Sequence, residues 1–397
     1  MRMELTAIGW VAAALVVALL ISFIATPVVK SIAQMVGAMD VPKDNRRMHN
    51  HPIPRMGGLA IFLGFLLSTL IFVPMSTPLR GMLLGGVIIV ILGMFDDIYA
   101  LPALPKLLVQ IAAALVAVLH GNVIEVLSNP NLFSDNPYWI LGSLSIPLSV
   151  IWIVAITNAV NLIDGLDGLA VGVATISSLT MLVIAMLVSD SVVALMMAAL
   201  AGGCIGFMPY NMNPAKIFMG DTGSTFLGFV LATVSIEGLF KFYTIISFAV
   251  PFLMLGLPLF DTCFAILRRL SKGQSPMAPD RSHVHHRLID MGFNQKQAVA
   301  ILYVVSAILG LSAVVLTTSG ALKAIVLLCA LCLAGLIAGK LFLVHNEGQS
   351  DAPKQDPSQT TKEADDHAAE SDDDLRDPPG GGEDGTSGQG AGEPKGD

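Results

Sequence analysis

The chain has 397 residues, 54% of them hydrophobic and only 13% charged, with a mean hydropathy of +0.72. That composition excludes an ordinary soluble globular chain and describes an integral membrane protein. The net charge of −8 is uneven: residues 1–344 carry 18 Lys+Arg against 15 Asp+Glu, and residues 345–397 carry 4 against 15. The membrane body is therefore mildly basic and the acidity belongs to a tail.

Apolar runs occur at 5–26, 57–75, 81–95, 105–120, 139–157, 169–188, 191–209, 222–240, 243–267, 298–318 and 321–344. A run of about 20 residues crosses a bilayer as a helix. The reading is thus an all-α integral membrane protein with about eleven transmembrane helices. The first run exceeds a signal-peptide core and lacks a small-residue cleavage site, so it reads as a span. Basic residues concentrate in loops 26–56 and 268–297, and one side of the alternating loops collects 14 of the Lys+Arg before the tail. The other side holds Arg2, Arg80, Lys241 and Lys323. The positive-inside rule then places the N-terminus outside and the C-terminus in the cytoplasm. Segment 121–138 is the one long external connection, with room for a hairpin or an interfacial piece. Residues 1–345 read as the membrane domain. Residues 346–397, rich in Asp, Glu, Gly, Pro and Ser, lack the apolar surface to fold alone and read as a disordered acidic cytoplasmic tail. The four cysteines lie in apolar runs and read as core.

The polar clusters all fall on the cytoplasmic side of this topology. Asp96 and Asp97 follow the third run, and Lys106 returns to the same surface ten residues later. Adjacent carboxylates repel each other unless a cation is near. The stretch 158–170, NAVNLIDGLDGLA, sits between two spans and contains Asn158, Asn161, Asp164 and Asp167 interleaved with glycines. Carboxylates at membrane depth persist only against protein, water, a metal or a ligand. The 161–164–167 spacing predicts three polar side chains on one helix face. Phe218–Ser224 reads FMGDTGS and places Asp221 at a helix start, either as a cap or as a metal ligand, where free N–H groups can also receive an anion.

The stretch PDRSHVHHRL carries His283, His285 and His286 between Arg281 and Arg287. The arginines argue against zinc and for phosphate binding. Together these clusters suit a hard cation and a phosphorylated substrate. There is no Walker loop or dinucleotide-binding turn to anchor ATP or NAD.

Five motifs in this order resemble the polyprenyl-phosphate N-acetylhexosamine-1-phosphate transferase family: PRMGGLAIF at 54–62, DDIYALPALPKLLVQ at 96–110, NAVNLIDGLDGLA, FMGDTGS, and HVHHRL at 283–288. The resemblance covers about residues 2–345. It implies a bacterial cytoplasmic-membrane enzyme with a cytoplasmic active site. Such an enzyme transfers N-acetylglucosamine-1-phosphate from UDP-N-acetylglucosamine to undecaprenyl phosphate, releasing UMP and initiating a cell-envelope polymer. It also implies Mg²⁺, with Mn²⁺ as a substitute. By that resemblance Asp96 and Asp97 sit at the lipid phosphate, one of them as a base, and Lys106 neutralises phosphate. Asp221 is the principal metal ligand, with Asp97 beside it. Asn161, Asp164 and Asp167 line the nucleotide and metal side, Phe218 stacks on uracil, and Arg281, His283, His285, His286 and Arg287 hold diphosphate and sugar.

The spaced His-Val-His-His pattern points to the N-acetylglucosamine branch. The runner-up is a phospho-N-acetylmuramoyl-pentapeptide transferase. An ion-coupled transporter is the alternative from another class, and would spread its carboxylates through mid-helix depth. No nucleic-acid partner is expected, and the oligomeric state stays open, a homodimer included.

Overall fold

A computed structural model describes residues 5–41, 51–128, 138–240, 249–274 and 283–319, with isolated positions 327 and 329. The expected acidic tail, the eleventh apolar run apart from positions 327 and 329, and Arg281 lie outside the described residues. Twelve α-helices are described: α1 (Leu5–Met35), α2 (Gly58–Phe72), α3 (Thr77–Tyr99), α4 (Ala103–Leu119), α5 (Ser145–Ile163), α6 (Leu169–Leu187), α7 (Ser191–Asn211), α8 (Gly220–Ser235), α9 (Ala249–Met254), α10 (Gly256–Ser271), α11 (Val284–Asp290) and α12 (Gln295–Ser319). Six helical stretches are long and apolar enough to cross a membrane, and Gly58–Phe72 and Ala103–Leu119 are shorter apolar helices. Large apolar side chains such as Trp10, Ile24, Leu104, Leu108 and Ile151 are exposed, as expected of surfaces that meet hydrocarbon.

The structure departs from a purely helical chain in two places. Strand β1 (Met39–Asp40) pairs antiparallel with β2 (Ile53–Pro54), and β3 (Val126–Ser128) with β4 (Tyr138–Ile140). The second ribbon is the hairpin anticipated in the long connection. It takes residues 139–140 out of the fifth run, so α5 begins six residues later than expected and ends at Ile163. The helix therefore carries Asn158 and Asn161 itself. Likewise α3 runs through Asp96 and Asp97 to Tyr99, ending on Ala100 in the left-handed region. The ninth run is broken at Leu255, between α9 and α10.

The bundle is organised around α8, which is buried at every residue except Asp221. Its hydroxyls at Ser224, Thr225, Thr233 and Ser235 donate to carbonyls of the helix's own preceding turn, so these polar residues are buried without unpaired donors. Phe226 meets Phe62 edge-on with ring centroids 5.3 Å apart, and meets Phe65 at 5.6 Å. Glycines let backbones close on the start of α8: a Cβ on Gly58 would overlap the Gly223 backbone, and one on Gly93 the backbone of Thr222.

Candidate active site

The start of α8 is held from three sides. Phe218 donates its N–H to the Pro54 carbonyl at 2.8 Å. Gly57 and Gly58 donate theirs to the carbonyls of Phe218 and Met219, each at 2.9 Å. Thus the PRMGG and FMGDTGS motifs form one backbone-locked unit. No side chain of its own segment caps α8. Asp97 of α3 does so instead. Its Oδ1 accepts the Asp221 N–H at 2.9 Å, and its Oδ2 accepts the Thr222 N–H at 3.1 Å and the Thr222 hydroxyl at 2.7 Å. Arg55 lies 3.4 Å from the same carboxylate. Two of the N–H groups at this helix start, those of Asp221 and Thr222, are therefore taken by Asp97. Both Asp97 oxygens accept protein donors, and Asp97, expected as the second metal ligand, is not among the residues that wall the cavity described below.

Asp96 and Lys106 come together as the sequence implies. Asp96 Oδ1 accepts the Leu101 N–H at 2.6 Å and its Oδ2 lies 2.7 Å from Lys106 Nζ, which also reaches Asp221 at 3.3 Å. From α5, Asn161 donates to Asp221 Oδ1 at 3.1 Å and to Ser224 Oγ at 2.8 Å, while Asn158 donates to Gln110 of α4 at 2.7 Å.

The expectation of a single polar helix face over 161–164–167 fails. Helix α5 stops at Ile163, Asp164 is its C-terminal cap, and Gly168 at φ +80° turns the chain into α6. Asn161, Asp164 and Asp167 converge because the chain folds back between two helices. Asp167 is partly committed to structure: its Oδ2 accepts the Asn213 side-chain amide and the Ala215 N–H, both at 3.0 Å. Asp164 is pushed up to about 7, first by burial and then by the charges of Asp221 and Asp97.

A cavity of about 460 Å³ opens beside this cluster, walled by Arg55, Asn161, Asp164, Asp167, Phe218, Asp221 and His286 among others. A second, smaller hollow of about 30 Å³ is walled by Asp96, Lys106, Gln110 and Asn158. Asn161 and Asp221 belong to both walls.

The histidine segment forms the short helix α11 rather than a loop. His285 is buried, and its ring fills the space a Cβ on Gly165 would need. Burial, then the neighbouring His286, depresses its pKa to about 4, so it is neutral. His286 reaches the cavity; Arg287 is exposed and is not among the residues that wall it. His283 is buried against Asp261 of α10 and away from the cavity wall.

Sequence reasoning passed over Arg55, counted only as a loop charge, and Asp261. The signal for Asp261 was present: a carboxylate inside an apolar run. Among the described residues no three His, Cys, Asp or Glu side chains converge to hold a metal unaided. The carboxylates of Asp164 and Asp221 both wall the cavity, and oxygen donors of that kind fit a hard cation.

Residues 79–239 match the family described as glycosyl transferase family 4. The chain is 42% identical over 307 residues, 77% of its length and 85% of the relative's, to a Bacillus subtilis protein named "Probable undecaprenyl-phosphate N-acetylglucosaminyl 1-phosphate transferase". It is 33% identical over 271 residues to the undecaprenyl-phosphate alpha-N-acetylglucosaminyl 1-phosphate transferase of Thermotoga maritima, covering 67% of this chain and 78% of that one. Against the phospho-N-acetylmuramoyl-pentapeptide-transferase of Staphylococcus haemolyticus it is 30% identical over 319 residues, 75% and 96% of the two chains.

Proposed function

The chain belongs to the polyprenyl-phosphate sugar-1-phosphate transferases of glycosyl transferase family 4, and from that premise we propose that it transfers N-acetylglucosamine-1-phosphate from UDP-N-acetylglucosamine to undecaprenyl phosphate. One observation carries the assignment of substrates to places: Asn161 and Asp221 stand in the walls of both the large cavity and the small hollow. The large cavity has room for a nucleotide sugar and takes the donor. The hollow beside Asp96 and Lys106 takes the phosphate of the lipid. The β-phosphorus lies where the two spaces meet.

In the reaction an oxygen of the lipid phosphate attacks the β-phosphorus. The bond from that phosphorus to the bridging oxygen breaks, and UMP leaves with the bridging oxygen. Lys106 holds the attacking phosphate, and Asp96 orients Lys106 and receives any proton the phosphate carries. Arg55 and His286 face the donor diphosphate and sugar, and Phe218 offers its ring to the uracil. Asp97 acts through the backbone, fixing where Asp221 points. Mg²⁺, or Mn²⁺ in its place, would be held by Asp221 and Asp164 with the substrate phosphates, and would supply charge neutralisation as phosphate negative charge builds.

The clustering of basic loops supports an N-out, C-in arrangement of eleven spans with this site on the cytoplasmic face of a bacterial membrane. Incubating the purified protein with UDP-N-acetylglucosamine, undecaprenyl phosphate and Mg²⁺ should release UMP, and chelator should stop it. Absence of UMP with all three present would refute the reading.

A further inference from the structure

Asp261 lies within α10, only 5% exposed, in sequence otherwise apolar on both sides. It walls neither the cavity nor the small hollow. A buried carboxylate needs partners for its oxygens, and Asp261 has two. Its Oδ2 lies 2.8 Å from His283 Nδ1, and its Oδ1 accepts the Val284 N–H at 2.9 Å. These are the residue before α11 and its first residue. A helix of seven residues does not hold itself in place, and the segment offers no cap of its own. Asp261 does for α11 what Asp97 does for α8, supplying the cap from a neighbouring helix.

The rings that follow are arranged in sequence from this anchor. His283 and His285 lie nearly parallel with centroids 5.8 Å apart, and His285 and His286 are 4.3 Å apart. His285 seats on Gly165 of the central loop, and His286 walls the cavity. The path from Asp261 to the donor side is thus a continuous line of packed rings.

We infer that Asp261 is a positioning residue, holding His283 and the first turn of α11 so that His285 sits on Gly165 and His286 faces the donor. Its kinetic consequence rests on the proposed reaction; its structural consequence does not. The side chain touches neither substrate space, so its loss displaces the donor-side histidines and leaves Asp96 and Lys106 in place.

The test compares the purified full chain with Asp261→Asn and Asp261→Ala. In Asp261→Ala, KM for UDP-N-acetylglucosamine should rise about tenfold and KM for undecaprenyl phosphate should stay within about twofold, the scale of one lost charge-assisted hydrogen bond. Asp261→Asn keeps an acceptor for Val284 and should fall between. The double variant with His283→Ala should be no worse than the poorer single variant, because the two residues act as a unit. A second readout needs no turnover: modification of His285 by diethyl pyrocarbonate, followed by mass spectrometry, should be slow in the wild type and several-fold faster in Asp261→Ala. If that variant does not fold, the same acceleration, smaller, is read in Asp261→Asn. Unchanged protection of His285, equal rises in both KM values, or additive losses in the double variant would each overturn the inference. A wild-type protein without turnover would refute the reaction instead, and the labelling result would still decide the role of Asp261.

Discussion

Two helix starts in this molecule are built with the same device and different stiffness. Helix α8 is capped by Asp97 from α3, and α11 by Asp261 from α10. Around α8 the cap is reinforced by three backbone hydrogen bonds to 54–58 and by glycines that bring Gly58 and Gly93 onto its first turn. Around α11 the reinforcement is side-chain packing: three rings, one of them resting on Gly165. Backbone locked to backbone leaves no room for adjustment, whereas rings can turn. The stiff start carries Asp221, where both substrate spaces meet. The softer start carries His286, which walls the cavity proposed to take the donor. In the proposed reaction, position is thus held tightest where phosphorus changes partners.

The largest expected effect breaks the stiff side at its centre. Asp221→Asn keeps the shape but loses the charge and one of the two oxygens that accept from Asn161 and Lys106, and should cut kcat by about 10³-fold or more with little change in melting temperature. Steady-state kinetics beside a thermal melt decide it, and retained turnover would move the reacting phosphate away from Asp221. Next is the cap. Asp97→Asn should lower kcat by about 10²-fold and also destabilise the fold by about 1–2 kcal/mol, because a helix start loses its charged acceptor. Asp96→Asn, whose target is Lys106, should lose activity with less change in stability; equal melts for the two would undo the division of labour.

A matched pair of glycine substitutions sharpens the contrast. Gly58→Ala meets the backbone of Gly223, which cannot move aside, and should destabilise the protein by about 1–3 kcal/mol. Gly165→Ala meets the ring of His285 and should leave the melt nearly unchanged while raising KM for UDP-N-acetylglucosamine by about tenfold, since the ring must turn away from its seat. The reverse pattern would mean the histidine segment is the rigid one.

The smallest effect concerns pH. His285 is held neutral in the folded chain to about 4, against an ordinary value of 6.5. Between those values the unfolded chain binds the extra proton, so stability is full above the ordinary value and declines as pH falls toward the folded one. The decline should reach about 1 kcal/mol near pH 5.5 and be missing from His285→Gln. Melting curves at successive pH values give the difference, and parallel curves for the two proteins would contradict the buried neutral histidine.

How much of this was legible in the sequence varies by residue. The membrane body and the meeting of Asp96 with Lys106 were readable, because apolar length and charge spacing are local quantities. The ends of α3 and α5 were not. Asp96 and Asp97 interrupt an apolar run, yet the helix continues because Asp97 finds its partners on α8, far along the chain. Asn161, Asp164 and Asp167 were foreseen as a cluster for a mistaken reason: helical spacing suggested one face, whereas Gly168 folds the chain. Arg55 and Asp261 were missed because their roles depend on which helix lies opposite, which no window of sequence contains. The histidines were read as one group, but the structure gives His283 to Asp261, His285 to Gly165 and His286 to the cavity.

In the proposed reaction the donor is UDP-N-acetylglucosamine and not its muramoyl-pentapeptide counterpart. Competition in one vessel separates the two: purified protein, Mg²⁺, undecaprenyl phosphate and equal concentrations of UDP-N-acetylglucosamine and UDP-N-acetylmuramoyl-pentapeptide, with the lipid products weighed by mass spectrometry. The expected product is undecaprenyl diphosphate bearing a single N-acetylglucosamine, with UMP formed in equal amount. A lipid product carrying the muramoyl pentapeptide, or none from either donor, would contradict it.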